Sequence, residues 1–266
     1  MQPRRVNFHT LGCKLNFSES STLAREFERG GFVRVAPTAE ADICVINSCS
    51  VTEHADKKCR NLIRKLHRRN PAAIIAVTGC YAQLKPQEIA AIEGVDIVLS
   101  NNDKGALFKR VVELSGKGRA QVYSCDTDSL TSFFAAFSSG DRTRAFLKVQ
   151  DGCDYKCAYC TIHYARGASR NLPIAEAVAE ARRIADGRFL EVWVRAGLET
   201  CKARDPKKLY QKALEGKIRS FTGIDSPYEE PTDAELVLDT EVLSEEECVN
   251  RLTDAIFDYL EGGDTL

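Results

Sequence analysis

The chain has 266 residues, 44% of them apolar and 28% charged, with a formal net charge of −1. That is an ordinary globular balance, with material for one large domain or two of common size. No apolar run approaches the roughly 20 residues a membrane helix needs, which excludes a spanning helix. The opening "MQPRRVNFHTLGC" has no apolar core of a secretory signal, so a reducing cytoplasm is the expected setting and no membrane partner is expected. Eleven cysteines in such a compartment favour metal or catalytic duty over disulfides.

In chain order, the first 125 residues alternate between short β-prone runs ("RVNFHTL", "DICVINS", "AIIAVTG", "DIVLS", "AQVYS") and helical segments near 18–30, 53–69, 85–92 and 103–115. Such alternation predicts an α/β domain on a mostly parallel open sheet. Continuous apolar runs such as "ICVI" and "IIAV" fit strands covered on both faces. Residues 57–69, "KKCRNLIRKLHRR", carry seven Lys/Arg and no acid, whereas Asp225 to the end holds fourteen acids against Arg251. These charged stretches are either solvated helix faces or the marks of two segments with different partners.

Residues 126–144, rich in Ser, Thr and Asp, read as a linker. "AFLKVQ" then reads as a strand leading into a loop, "LPIAEAVAEARRIADG" as a helix and "FLEVWV" as a strand, so that 145–194 would make one β-loop-α-β unit, with "FLEVWV" free to pair beside "AFLKVQ". Beyond it come a helical stretch at 198–215, the loop "SFTGIDSPYEEP", the strand "ELVLDT" and a closing helix. Ser244 and Glu247 stand at capping-box spacing before that helix. Cys248, Leu252, Ala255, Ile256 and Tyr259 mark its inner stripe.

The cysteines sort by position. Cys13, Cys49 and Cys80 follow the first three long strands, and in an open parallel sheet ligands gather beyond the carboxyl ends of strands. Gly12 and Gly79 directly precede two of them, allowing close backbone approach. Cys153, Cys157 and Cys160 form C-x3-C-x2-C in "GCDYKCAYC". Structural zinc takes four ligands, commonly in paired C-x2-C knuckles, whereas iron–sulfur clusters are held by thiolates at short spacings. Three thiolates would leave one iron of a four-iron cluster open. Cys44, inside an apolar strand, reads as a buried hydrophobe; Cys59, Cys125, Cys201 and Cys248 have no partner at ligand spacing and read as structural.

The three-cysteine loop, with Tyr159 before its last thiol, resembles the signature of radical S-adenosylmethionine enzymes. "TLGCKLNFSES", "INSCSVTEHADKKCR", "TGCYAQLKP" and "SSGDRTRAFLKVQDGCDYKCAYCTI" together resemble the tRNA methylthiotransferases, specifically the branch acting on N6-threonylcarbamoyladenosine, over residues 1–187. The resemblance implies two 4Fe-4S clusters and S-adenosyl-L-methionine as cofactors. Cys153, Cys157 and Cys160 would hold the radical cluster, with Tyr159 beside the cofactor, and Cys13, Cys49 and Cys80 the second cluster. It implies tRNA as partner rather than DNA, with the basic helix 57–69 as a backbone contact. A full radical-enzyme barrel would continue with further βα units; here residues 188–266 resemble the C-terminal part of adenylylsulfate kinase, through "RDPKKLY" and "FTGIDSPYE".

The expected fold is therefore α/β: an N-terminal mostly parallel open-sheet domain (1–125), a linker (126–144), a truncated radical-SAM-like βα unit (145–187) and a kinase-like α/β segment (188–266). Two alternatives to a methylthiotransferase stand: a kinase-related nucleotide-binding protein and a non-catalytic cluster-binding module from a fused gene. The P-loop pattern G-x-x-x-x-G-K-[ST] is absent, "SGKG" at 115–118 lacking its first glycine and final hydroxyl, so phosphoryl transfer loses its positioning device. Lys212 and Phe221, Thr222, Gly223, Ile224 and Asp225 are either the remnant of a nucleotide-substrate loop or a plain turn.

Overall fold

The structure, a computed structural model, describes residues 3–114, 116–138, 145–155, 157–185, 189–218 and 221–261. Two compact units divide the chain, Met1–Pro173 and Ile174–Leu266. In the first, strands β1 (Arg5–Thr10), β2 (Val33–Arg34), β3 (Ile43–Ser48), β4 (Ile74–Gly79), β5 (Val95–Leu99) and β6 (Gln121–Tyr123) form one sheet. Its order is β2-β1-β3-β4-β5-β6 and every neighbouring pair is parallel.

Side chains alternate across this sheet, and both faces are covered. From β3 and β4, Cys44, Ile46, Ile75 and Val77 enter one core layer with Cys59, Ile63 and Leu66 of α2 (Glu53–Arg69) and Ile89 of α4 (Pro86–Ala90). Ile43, Val45, Ile74 and Ala76 enter the other, against Leu23, Ala24 and Phe27 of α1 (Lys14–Arg29) and Leu107 and Val111 of α5 (Leu107–Glu113). Between α2 and α4 lies the short α3 (Cys80–Leu84). Phe27 meets Phe8, Phe32 and Phe108 edge to face at 5.7, 5.4 and 5.1 Å, each such pair adding about 0.5–1.5 kcal/mol beyond area burial. The unbroken apolar runs of β3 and β4 thus have their cause in two covered faces.

Helix α1 begins at Lys14, four residues before the start expected from sequence, because its first turns are polar yet buried: Asn16, Ser18, Glu19 and Ser20 all face inward. Polarity there marks a buried network, not a loop.

The segment read as strand 145–150 is interrupted. Strand β7 (Phe137–Ser138) pairs antiparallel with β8 (Phe146–Leu147), and β9 (Gln150–Asp151) pairs antiparallel with β10 (Arg170–Asn171). Between β8 and β9, Lys148 turns its ammonium into the protein and its backbone N–H donates to Ala136 O at 2.8 Å. Helix α6 (Ile162–Arg166) follows the three-cysteine loop.

In the second unit, β11 (Val192–Arg195) runs parallel to β12 (Leu236–Asp239), in register Val192↔Leu236 to Arg195↔Asp239. "FLEVWV" therefore pairs with "ELVLDT" rather than beside "AFLKVQ". Helices α7 (Ile174–Ala185), α8 (Leu198–Arg204), α9 (Leu209–Leu214) and α10 (Glu245–Glu261) complete it. The single helical stretch expected at 198–215 breaks at Asp205 and Pro206. Arg182 joins the unit's parts by ion pairs to Glu191 and Glu235. Among the described residues only Ala213 and Leu238 of this unit are buried apolar side chains.

Candidate functional site

The sheet order reverses between β1 and β3: the chain leaves β1 for β2 on one side and reaches β3 on the other. The crevice outside the carboxyl ends of such strands is where open α/β sheets bind ligands. Cys13, the N-cap of α1, lies three residues past β1; Cys49 directly follows β3; Cys80 opens α3 directly after β4. All three line one cavity of about 490 Å³.

The two preceding glycines stand where neighbouring strand ends approach closely. Gly79, at φ +96°, is fixed by the neighbouring strand end, since a Cβ there would sit 2.3 Å from Ser48 O. Gly12, at φ +120°, makes room for a thiol: its Cβ would lie 2.9 Å from Cys49 Cβ and 3.1 Å from Cys49 Sγ. The glycines thereby bring the strand ends together, and the cysteines with them. Cys13 Sγ donates to Asn16 Oδ1 at 3.2 Å. Burial pushes the Cys80 thiol up, while Arg166 and Lys104 pull against it.

The three-cysteine loop borders the same cavity through its flanks. Gly152, beside Cys153, and Thr161, beside Cys160, are both in the cavity wall, as are Ile162 and Ala165 of α6. Cys153 N–H donates to Gly167 O and Cys160 N–H to Cys157 O, both at 3.0 Å. Gly152, at φ +74°, takes a conformation in which a Cβ would strike Ala168 O at 2.0 Å. Cys157 is exposed, Cys153 and Cys160 half-buried. Tyr159 is 91% exposed and stands out of the cavity.

Among the described residues, no three His, Cys, Asp or Glu side chains are drawn close enough to hold a metal ion. The donor chemistry nevertheless fits an iron–sulfur cluster at the strand ends: three thiols, an apolar wall, glycines at the closest approaches and a buried cation alongside.

That cation belongs to a network that sequence reasoning missed. Glu19 is fully buried and binds Lys104 Nζ at 2.6 Å, Lys148 Nζ at 3.0 Å and Arg166 Nη1 at 3.0 Å. Asp151 binds Lys148 Nζ at 2.6 Å and Arg166 Nη1 at 2.8 Å. Arg166 Nη2 also donates to Asn16 Oδ1 at 3.2 Å, and Asn16 Nδ2 donates to Asn47 Oδ1 and Ser48 O. Burial alone would raise the Glu19 carboxyl; Lys104, Arg166 and Lys148 outweigh it and hold it well below its usual range. Through these bonds α1, the end of β3 and the segment carrying the three-cysteine loop become one rigid wall. The signal was present: Lys148 sits inside the otherwise apolar "FLKV", and Asn16, Glu19 and Ser20 share one helix face at spacings of three and four.

Helix α2 keeps Cys59, Ile63 and Leu66 inside and leaves Lys57, Lys58, Arg64, Lys65 and Arg68 exposed. Arg60 is committed to Tyr81 and Glu88, and Arg69 to Thr38 O and Ala39 O. In the second unit the Phe221–Asp225 loop closes on itself: Phe221 O accepts from the N–H groups of Ile224, Asp225 and Ser226, Gly223 N–H donates to Ser226 O, and Phe221 meets Tyr210 edge to face at 4.9 Å. Gly223, at φ +84°, permits the turn. Lys212, on α9, is exposed. Ser115 of "SGKG" lies outside the described residues.

Two family models match. "Uncharacterized protein family UPF0004" covers residues 5–100 and "Adenylylsulphate kinase" residues 99–239. The threonylcarbamoyladenosine tRNA methylthiotransferase MtaB of Bacillus subtilis is 38% identical over 73% of this chain and 44% of its own length; that of Aquifex aeolicus is 36% identical over 71% and 46%. The tRNA-2-methylthio-N(6)-dimethylallyladenosine synthase of Sphingopyxis alaskensis is 34% identical over 71% and 43%. A contiguous match of that extent must include the three-cysteine loop, whichever end it starts from. The chain spans less than half the length of these relatives. A solved structure titled "Crystal structure of APE1195" aligns with 96% of the chain at a TM-score of 0.28 and 19% identity, a likeness that carries no argument. The chain is a composite: it belongs to the adenylylsulphate kinase family, whose model matches residues 99–239, while its N-terminal residues match the UPF0004 model over 5–100 and it resembles the tRNA methylthiotransferases.

Proposed function

We propose that this chain binds two 4Fe-4S clusters and S-adenosyl-L-methionine as the cluster-bearing part of a cytoplasmic tRNA methylthiotransferase acting on N6-threonylcarbamoyladenosine. The carrying observation is the meeting of Cys13, Cys49 and Cys80 in one cavity at the switch point of the sheet. These thiols would hold one cluster and Cys153, Cys157 and Cys160 the other. When bound, the clusters supply radical formation from S-adenosylmethionine and sulfur for insertion. The chain's own residues do the rest: Gly12 and Gly79 set the thiols' approach, the Glu19 network fixes the wall between the two cysteine sets, and the exposed cations of α2 offer counterion release to a phosphate backbone. Adenylylsulfate kinase activity is the weaker alternative, because no P-loop pattern occurs in the sequence and the loop at Phe221 spends its amides on its own turn.

Anaerobic reconstitution with iron and sulfide counting tests this. About eight irons per chain are expected for two four-iron clusters. Replacing Cys153, Cys157 and Cys160 by Ala removes about half, and replacing Cys13, Cys49 and Cys80 removes the other half. Full iron in either triple variant, or zinc in place of iron, overturns the assignment. A tRNA carrying N6-threonylcarbamoyladenosine should bind the reconstituted chain more tightly than one carrying N6-dimethylallyladenosine.

A further inference from the structure

Among the described residues, the charge in the buried network does not cancel. Glu19 and Asp151 supply two negative charges; Lys104, Lys148 and Arg166 supply three positive ones, all five being at least nine-tenths buried. Arg170 Nη2, 3.8 Å from Asp151 Oδ2, adds a further cation at the network's edge. An uncompensated charge away from water is costly, and buried charges are found paired. Of the network's charged members only Arg166 lines the cavity, among walls that are otherwise apolar apart from Asn16, Ser50, Gln150 and Thr161 and the three thiols. The compensating negative charge therefore belongs in that cavity.

We infer that Arg166, oriented by Glu19, Asp151 and Asn16, is the buried counter-ion of an anionic thiolate cluster on Cys13, Cys49 and Cys80, and is the positioning residue that sets its reduction potential. The inference rests on the cluster reading of this cavity. Three thiolates outweigh a dipositive four-iron core by one negative charge, the sign the network lacks. Asn16 links the two sides: its Oδ1 accepts from Arg166 Nη2 and from Cys13 Sγ, each at 3.2 Å. Once Cys13 is a thiolate it has no proton to donate, and Asn16 Oδ1 retains Arg166 as its partner. Reduction adds an electron to a site already negative, and a fixed cation beside it favours the reduced state.

The test uses the chain with Cys153, Cys157 and Cys160 replaced by Ala, so that one cluster is read at a time by redox titration followed by electron paramagnetic resonance. Arg166→Gln should lower the midpoint potential and Asp151→Asn should raise it. The expected size is at least a tenfold change in the reduced-to-oxidised ratio, which is about 59 mV for a one-electron couple. Arg166→Lys, which keeps the charge, should stay near the parent. Opposite shifts support the assignment; no shift, or shifts of one sign, overturn it while leaving the cluster reading intact. Absence of iron from the parent variant overturns both. If Arg166→Gln fails to fold by circular dichroism, Asp151→Asn still decides, since a zero or negative shift there defeats the claim.

Discussion

Glu19, Asp151 and His9 make the first unit sensitive to acid in one direction. The Glu19 and Asp151 carboxyls are both held below their ordinary values of 4.5 and 3.8: burial opposes this, and the surrounding Lys and Arg side chains overcome it. Their stabilisation is present above those ordinary values and is lost as pH falls from there toward the lower values of the folded state. His9 is held neutral, its pKa lowered from 6.5 to about 4 by burial and then by Arg69 and Lys65. Between pH 6.5 and 4 the unfolded chain binds a proton at His9 that the folded chain does not, so stability falls as pH falls through that window. Glu26, which burial raises, works the other way on a smaller scale. Urea midpoints of the metal-free chain should therefore decline in two stages, one from about pH 6.5 and one below about 4.5. His9→Gln should remove the first stage and leave the second; a flat profile from 6.5 to 4.5 would contradict the account.

At the scale of elements, the closing helix shows how much a local rule can carry without a core. Ser244 Oγ accepts from Glu247 N–H at 3.2 Å, and Glu247 Oε2 accepts from Ser244 N–H at 2.8 Å, the reciprocal capping box that the spacing predicted. The expected inner stripe is only half-buried at Cys248, Leu252, Ala255 and Tyr259, and Ile256 is exposed. With so little tertiary support, α10 depends on its cap, and Ser244→Ala should cost about 1 kcal/mol and visibly reduce helix content by circular dichroism. An unchanged spectrum and midpoint would mean that packing, not the cap, holds the helix. Legibility follows the same division. Strands β3 and β4 were readable because continuous apolar runs report burial on two faces, β1 and β5 as short β-prone runs between helical segments, and the strand-end placement of Cys13, Cys49 and Cys80 followed from them. The Glu19 network was not readable as a site, because the cations Glu19 binds lie 85 to 147 positions away in the chain, and only folding pairs Glu19 with Arg166.

The pairing of "FLEVWV" with "ELVLDT" instead of "AFLKVQ" is the point at which local pattern ran out. Periodicity marks a strand and is silent about its neighbour, and Lys148, needed by Glu19 and Asp151, makes 145–150 unsuitable as a continuous inner strand. The outcome is two units of very different depth. The first holds two core layers and a buried ion network; the second, among its described residues, buries only Ala213 and Leu238 as apolar side chains and otherwise relies on exposed ion pairs such as Arg182 with Glu235. Exposed pairs contribute about 0–1 kcal/mol each, whereas each large apolar side chain buried in the first unit contributes about 1.5–3 kcal/mol. Stability should accordingly be uneven along the chain and unfolding should depart from two-state behaviour. Two urea transitions are expected. Trp193, the single tryptophan, lies on β11 and should report the earlier one by fluorescence; the iron of the reconstituted chain, held as proposed above, should report the later one. Limited proteolysis should cut first within 174–266 and leave a resistant N-terminal fragment. Coincident loss of both signals would show that the two units stand or fall together.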